Sequence, residues 1–197
     1  GTALVKTLEA THAMWLREAP PSDLSGSLAT LALLANGELY VASLGNGRCI
    51  VCSKDGQATG LAGNREKNDI PHRGLFGPEQ PSVECAAVPL GPSDAFVLLA
   101  SDGVWDVFSS SKAGEIVARS LQADPKAPHK AAKALCDAAY NAESDDNISA
   151  AVLVCEWDSY PPPPPPTEPP RPKPTAVATA KPAAAVAAVA KPKATAV

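Results

Sequence analysis

Apolar and polar positions along this 197-residue chain change period several times, and each change marks an element. Residues 3–18 place Leu4, Leu8, Trp15 and Leu16 at the spacing of an amphipathic helix, which packs on a sheet. The Pro20-Pro21 pair ends it, because proline lacks an amide hydrogen and fixes φ. Residues 30–34 and 38–44 read as strands joined by the hairpin signal Ala35-Asn36-Gly37. Residues 48–53 follow across Gly45-Asn46-Gly47, so the three strands predict an antiparallel meander with Asn46-Gly47 as the preferred pair of a tight hairpin. Lys54-Asp55-Gly56 is a further turn, and residues 57–80 show no clear period, which predicts a long irregular segment. Strands resume at 83–88 and 95–100. Helices are predicted at 111–122 and 128–141, the second with Pro128 in the first turn, where proline is tolerated. Residues 148–156 close the pattern as an interior strand.

The pattern stops at Tyr160. Pro161 to Pro166 is an unbroken proline run, and Lys-Pro, Ala and Val alternate from there to Val197, without hydrophobes large enough to offset ordering entropy. The expected organisation is therefore one domain over residues 1–158, large enough to bury roughly two-thirds of its unfolded surface, and a disordered tail over 159–197. The tail reads as a plain linker or as a polyproline II ligand for an SH3 or WW-type partner. Net charge divides at the same place: residues 1–159 hold 12 Lys and Arg against 20 Asp and Glu, residues 160–197 hold 5 against 1. An acidic body argues against nucleic acid as a partner.

Neither a membrane-length apolar run nor a signal-peptide pattern is present, so a soluble intracellular protein of cytoplasm or nucleus, with no membrane partner, is expected. The five cysteines fit that compartment, being odd in number and set mostly in apolar strands. Cys49 and Cys52 have the C-x-x-C spacing, but residues three apart on a strand point to opposite faces and cannot share a metal or a disulfide. His12, His72 and His129 have no Glu or Cys at ligand spacing and read as packing or surface residues.

Candidate chemistry lies in two short turns, Ser101-Asp102-Gly103 and Asp145-Asp146-Asn147. One follows the strand at 95–100 and the other precedes the strand at 148–156. If those strands are antiparallel neighbours, Asp102 and Asp146 face one small volume. Paired carboxylates suit hard divalent cations such as Mg²⁺ or Mn²⁺, which take oxygen ligands and leave other positions to water and phosphate. Asp-Gly and Asp-Asn are also ordinary turn dipeptides, and each motif alone reads that way.

The flanking residues add more. Ala100-Ser101-Asp102-Gly103-Val104-Trp105-Asp106-Val107 after an apolar strand, with Asp146-Asn147-Ile148-Ser149 opening the last one, resembles the type 2C protein phosphatases, the metal-dependent PPM family. Gly26-Ser27-Leu28-Ala29 is similar to the family's Gly-Ser-Thr-Ala segment, and Gly45-Asn46-Gly47-Arg48 to its Gly-Asp-Ser-Arg turn. The resemblance covers residues 4–156. It implies an α+β fold, a partial four-layer αββα sandwich of antiparallel sheets flanked by helices, with a two-ion Mg²⁺ or Mn²⁺ centre that hydrolyses phosphoserine and phosphothreonine in phosphoprotein substrates by a metal-activated water.

Carried over residue by residue, Asp102 and Asp146 would be metal ligands, with no catalytic residue beyond them. Gly103, Asp106, Asp145, Asn147 and Asn46 would surround the ions, Gly103 by giving backbone room. Asn46 stands where the family has a carboxylate, which weakens any third site. The family's Asp-Gly-His-Gly-Gly turn is absent, and His72-Arg73-Gly74-Leu75-Phe76-Gly77-Pro78 keeps only a faint likeness to its flap. Two readings follow: an incomplete phosphatase domain, weakly active or inactive by itself, whose sheet edges would be left unpaired; or a noncatalytic pseudophosphatase or protein-interaction module of the same fold.

Overall fold

A computed structural model describes residues 1–20, 27–63 and 83–157. Helix α1 (Thr2–Glu18) is followed by β1 (Ala29–Ala35), β2 (Glu38–Leu44), β3 (Arg48–Ser53), β4 (Ala58–Ala62), β5 (Val83–Pro89) and β6 (Asp94–Ala100). A single-turn helix α2 (Asp102–Trp105), helices α3 (Ser110–Ala123) and α4 (Pro128–Asn141), and strand β7 (Ala150–Val154) complete the order. Pro21, Gly26, the expected irregular segment from residue 64 onward with His72 to Pro78, and the tail at 159–197 lie outside the described residues.

The strands form two antiparallel sheets, β1-β2-β5 and β4-β3-β6-β7. Alternation along each strand then builds four layers. Leu39 and Val41 of β2, Ala86 and Val88 of β5, Cys49 and Val51 of β3 and Val97 of β6 make the core between the sheets. On the outer face of the smaller sheet, Leu8 of α1 packs with Ala42, Leu44 and Cys85. On the outer face of the larger one, Val117 of α3 and Ala131, Leu135 and Ala139 of α4 cover Ile50, Cys52, Phe96 and Leu98. The αββα sandwich is thus assembled from period-2 strands and period-3.6 helices, each giving its apolar face to a neighbouring layer. No helix among the described residues is long and apolar enough to cross a membrane.

Asn36 and Gly37 both take positive φ, 53° and 77°, as a two-residue hairpin between β1 and β2 requires. Three expectations are corrected. The meander stops after β2, because β3 crosses to the other sheet and pairs with β4 and β6. Asn46-Gly47 is accordingly no tight hairpin: the positive φ, 85°, is at Gly45, and Ser43 Oγ donates to Gly47 O at 2.7 Å to hold the crossing. Second, residues 58–62 form β4 at the start of the stretch read as irregular, joined to β3 through the Lys54-Asp55-Gly56 turn and accommodated by a bulge at Cys49/Ile50. Third, β7 is short, because Ile148 and Ser149 lie in the loop that meets Ser101, and among the described residues it is an edge strand rather than an interior one.

Candidate metal centre

β6 and β7 are antiparallel neighbours in register Ala100↔Ala150, so the exit of one lies beside the entrance of the other. Ser101 joins them. Its amide donates to Ser149 O at 3.0 Å, its hydroxyl donates to Asn147 O at 2.9 Å, and the same oxygen accepts from Ser149 N at 2.9 Å. Asp102 follows directly as the first residue of α2. Ser144 Oγ closes a second link by donating to Gly103 O at 2.6 Å. A Cβ on Gly103 would stand 2.6 Å from Asn147 O, so glycine lets the two backbones approach. The turn bearing Asp102 and the loop bearing Asp146 are fixed to each other through four hydrogen bonds.

Charge shows the same convergence. Partial burial is the largest cause holding the Asp102 carboxyl above its ordinary pKa, and the negative charge of Asp146 is the next. Asp106 adds to the rise, while the Gly103 amide, donating to Asp102 Oδ1 at 3.1 Å, opposes it. Asp102, Asp106 and Asp146 therefore share one field. Asp146 Oδ1 accepts from the adjacent Asn147 N at 2.6 Å.

The Gly45–Gly47 crossing is at the same end of the sandwich, because Arg48 pairs with Ala100 and a Cβ on Gly47 would come within 3.5 Å of Ala100 O. No group of three or more His, Cys, Asp or Glu able to hold a metal occurs among the described residues. Two converging carboxylates nevertheless match how Mg²⁺ is commonly held, through one or two carboxylates with waters and a substrate phosphate.

Residues 2–68 and 78–148 match the family described as Protein phosphatase 2C. The chain belongs to that family. It is 30% identical over 179 residues to Probable protein phosphatase 2C 57 of Oryza sativa subsp. japonica, a match covering 73% of this chain and 48% of the relative. It is 28% identical over 183 residues to Probable protein phosphatase 2C 58 of Arabidopsis thaliana, covering 77% and 62%. The chain thus spans about half to three-fifths of the length of these relatives. Among solved structures, serine-threonine phosphatase 2C from Toxoplasma gondii superposes with TM-score 0.57 at 21% identity, over 76% of this chain and 64% of that one. The catalytic domain of the serine threonine protein phosphatase PstP, in complex with 2 manganese ions, gives 0.51 at 24% identity, over 74% and 65%. At such identity the likeness is one of fold.

Within this protein phosphatase 2C chain, Asp102 and Asp146 are the expected pair, and Gly103 and Asp106 adjoin them. Asn147 contributes through its main-chain carbonyl. Asp145 is exposed beside Asp146. Ser101 and Ser144 were not singled out in the sequence, although they hold the two loops together. Their only signal is a hydroxyl flanking each acidic turn, which is too common to count alone.

Proposed function

We propose that the chain is part of a Mg²⁺- or Mn²⁺-dependent protein serine/threonine phosphatase, with Asp102 and Asp146 as metal ligands. The observation that carries this is that the β6–β7 register and the Ser101 and Ser144 hydrogen bonds bring the two acidic loops together; burial first, and the charge of Asp146 next, raise the Asp102 carboxyl there. Membership of the protein phosphatase 2C family supports it. The ions, when bound, supply an activated water and charge neutralisation for the phosphoryl oxygens.

The chain's own residues bind and orient. Ser101 and Ser144 set the separation of the acidic loops, Gly103 admits their close approach, and Asp106 adds negative charge beside Asp102. Asp145, Asn147 and Asn46 flank the centre without being ligands. Phosphoserine and phosphothreonine in proteins are the substrates of this reading. Its remaining parts are a domain ending near residue 158, a proline-rich tail offered to an SH3 or WW-type partner, and a reducing compartment, cytoplasm or nucleus, which the five free cysteines support.

Hydrolysis of p-nitrophenyl phosphate with and without Mn²⁺ tests the activity, together with Mn²⁺ uptake measured calorimetrically. Mn²⁺ uptake is expected in the chain and is lost in Asp102→Asn and Asp146→Asn. Uptake that survives both substitutions refutes these ligands. Uptake without hydrolysis fits both the incomplete domain and the noncatalytic reading, whereas Mn²⁺-dependent hydrolysis excludes the noncatalytic one.

A further inference from the structure

Helix α2 is a single turn, and the Asp106 amide donating to Asp102 O at 2.8 Å is its closing bond. One turn of helix fixes several dihedrals for one hydrogen bond and does not hold itself. Besides the Ser101 and Ser144 bonds and the buried Val104, it is supported through Trp105 and Arg48. The Trp105 indole Nε1 donates back to Ala100 O at 2.8 Å, folding the turn onto the end of β6. The Arg48 guanidinium lies over the Trp105 ring, 5.0 Å from its centroid. From there its Nε donates to Gly63 O at 3.2 Å and an Nη to Ser110 Oγ at 3.0 Å. Gly63 is in turn anchored, its amide donating to Glu84 Oε2 at 2.9 Å.

Resting on the metal-site reading above, we propose that Arg48 is a positioning residue for Asp102: by stacking on Trp105 and tying the ring to Gly63 and Ser110, it fixes the single turn that presents this carboxylate to Asp146. A planar guanidinium can lie on a ring while its edge donors reach two acceptors on different elements; an ammonium is a point charge and cannot do both. The bracket joins β3, the segment after β4, α2 and the first turn of α3, so the position of Asp102 is set by several elements of the sandwich as well as by its own loop. Metal-ligand placement tolerates errors of only about 0.5 Å, which makes such support functional.

The test compares the full chain with Arg48→Met, Arg48→Lys, Trp105→Phe and the mild Ser110→Ala by amide hydrogen exchange and by Mn²⁺ titration. Arg48→Met is expected to speed exchange of the Val104 and Asp106 amides about tenfold or more, while β2 and β5 keep their protection. It should also weaken Mn²⁺ binding by roughly 10–100-fold. Arg48→Lys and Trp105→Phe each recover part of both effects, and Ser110→Ala gives a smaller change of the same sign. Unchanged exchange at Val104 and Asp106 overturns the inference, as does a uniform rise over the whole chain, and so does unaltered Mn²⁺ affinity despite faster local exchange. Absence of Mn²⁺ uptake by the unsubstituted chain refutes the metal reading instead, and the exchange data still decide whether Arg48 holds the turn.

Discussion

Gly103 has a backbone neighbour where a side chain would have to be: an added Cβ falls 2.6 Å from Asn147 O and 3.1 Å from its carbonyl carbon. Backbone cannot swing aside as a flexible side chain can, so Gly103→Ala must spread the acidic loops and strain the Ser101 and Ser144 bonds. A loss of about 1–3 kcal/mol is expected, read as a lowered midpoint of thermal unfolding, together with weaker Mn²⁺ uptake. The room glycine provides is thus for Asn147 rather than for the ions directly. Asp102 yields a pH prediction. Its carboxyl is raised by burial first and by Asp146 second, so the folded metal-free chain holds this proton more tightly than the unfolded one. Stability should fall as pH climbs from the ordinary carboxylate value through the raised one, and below that window the penalty is absent. Asp146→Asn removes one cause. It should stabilise the metal-free chain at neutral pH by about 0.5 kcal/mol, a magnitude suited to a solvent-screened pair, with no difference in acid. Melting curves in EDTA at both pH values check this, and an unchanged neutral midpoint refutes it. That the two acidic loops are neighbours was legible, because an apolar strand leads into one and out of the other. Ser101 was not, since its role depends on partners 46 and 48 positions away.

β3 illustrates what can and cannot be read at the scale of an element. Both its faces are buried, Cys49 and Val51 toward the other sheet, Ile50 and Cys52 toward the helices. Period two places Cys49 and Cys52 on opposite faces, as the spacing requires. Burial pushes each of these two thiols up to about 12, so neither offers a thiolate at neutral pH. Iodoacetamide at pH 8 should leave both unmodified in the folded chain and label both in denaturant, as mass spectrometry of digests would report. Period cannot say which sheet a doubly buried strand joins. Its partner was chosen by the Gly45–Gly47 crossing, whose geometry depends on contacts with Thr30 and Ser43 from strands earlier in the chain. β4 carries little apolar signal, because Leu61 is the single large hydrophobe among Ala58, Thr59, Gly60 and Ala62. The long helices α1, α3 and α4 were legible, whereas the single turn of α2 reads from the sequence only as a turn. Leu135 of α4 is fully buried against the larger sheet, and Leu135→Ala should cost about 2–5 kcal/mol in chemical denaturation, far more than an exposed site on the same helix.

At the scale of the molecule, the two sheets are offset. β5 lies against β4 and β1 against β3, so the larger sheet runs on past β1 to its edge strand β7. Register then identifies what the step exposes. Leu34 pairs with Leu39, and Leu153 with Val97, and both partners belong to the core between the sheets. Leu34 and Leu153 therefore face the inter-sheet side, yet they are 52% and 46% exposed, whereas Leu39 and Val97 are 1% or less. Among the described residues each sits on an edge strand, and an edge with apolar side chains beside it invites pairing with another chain. Self-association that rises with concentration is the expected result, measurable by sedimentation or light scattering. Leu34→Lys combined with Leu153→Lys should suppress it, because an edge lysine must be desolvated before a strand can add there. Since both leucines are already half in water, the exchange should cost little stability, within about 0.5 kcal/mol per site. Core replacements such as Leu39→Lys would instead unfold the chain. Association undiminished in the double variant would locate the sticky surface elsewhere, with Met14 and Leu16 of α1 the next exposed hydrophobes to substitute.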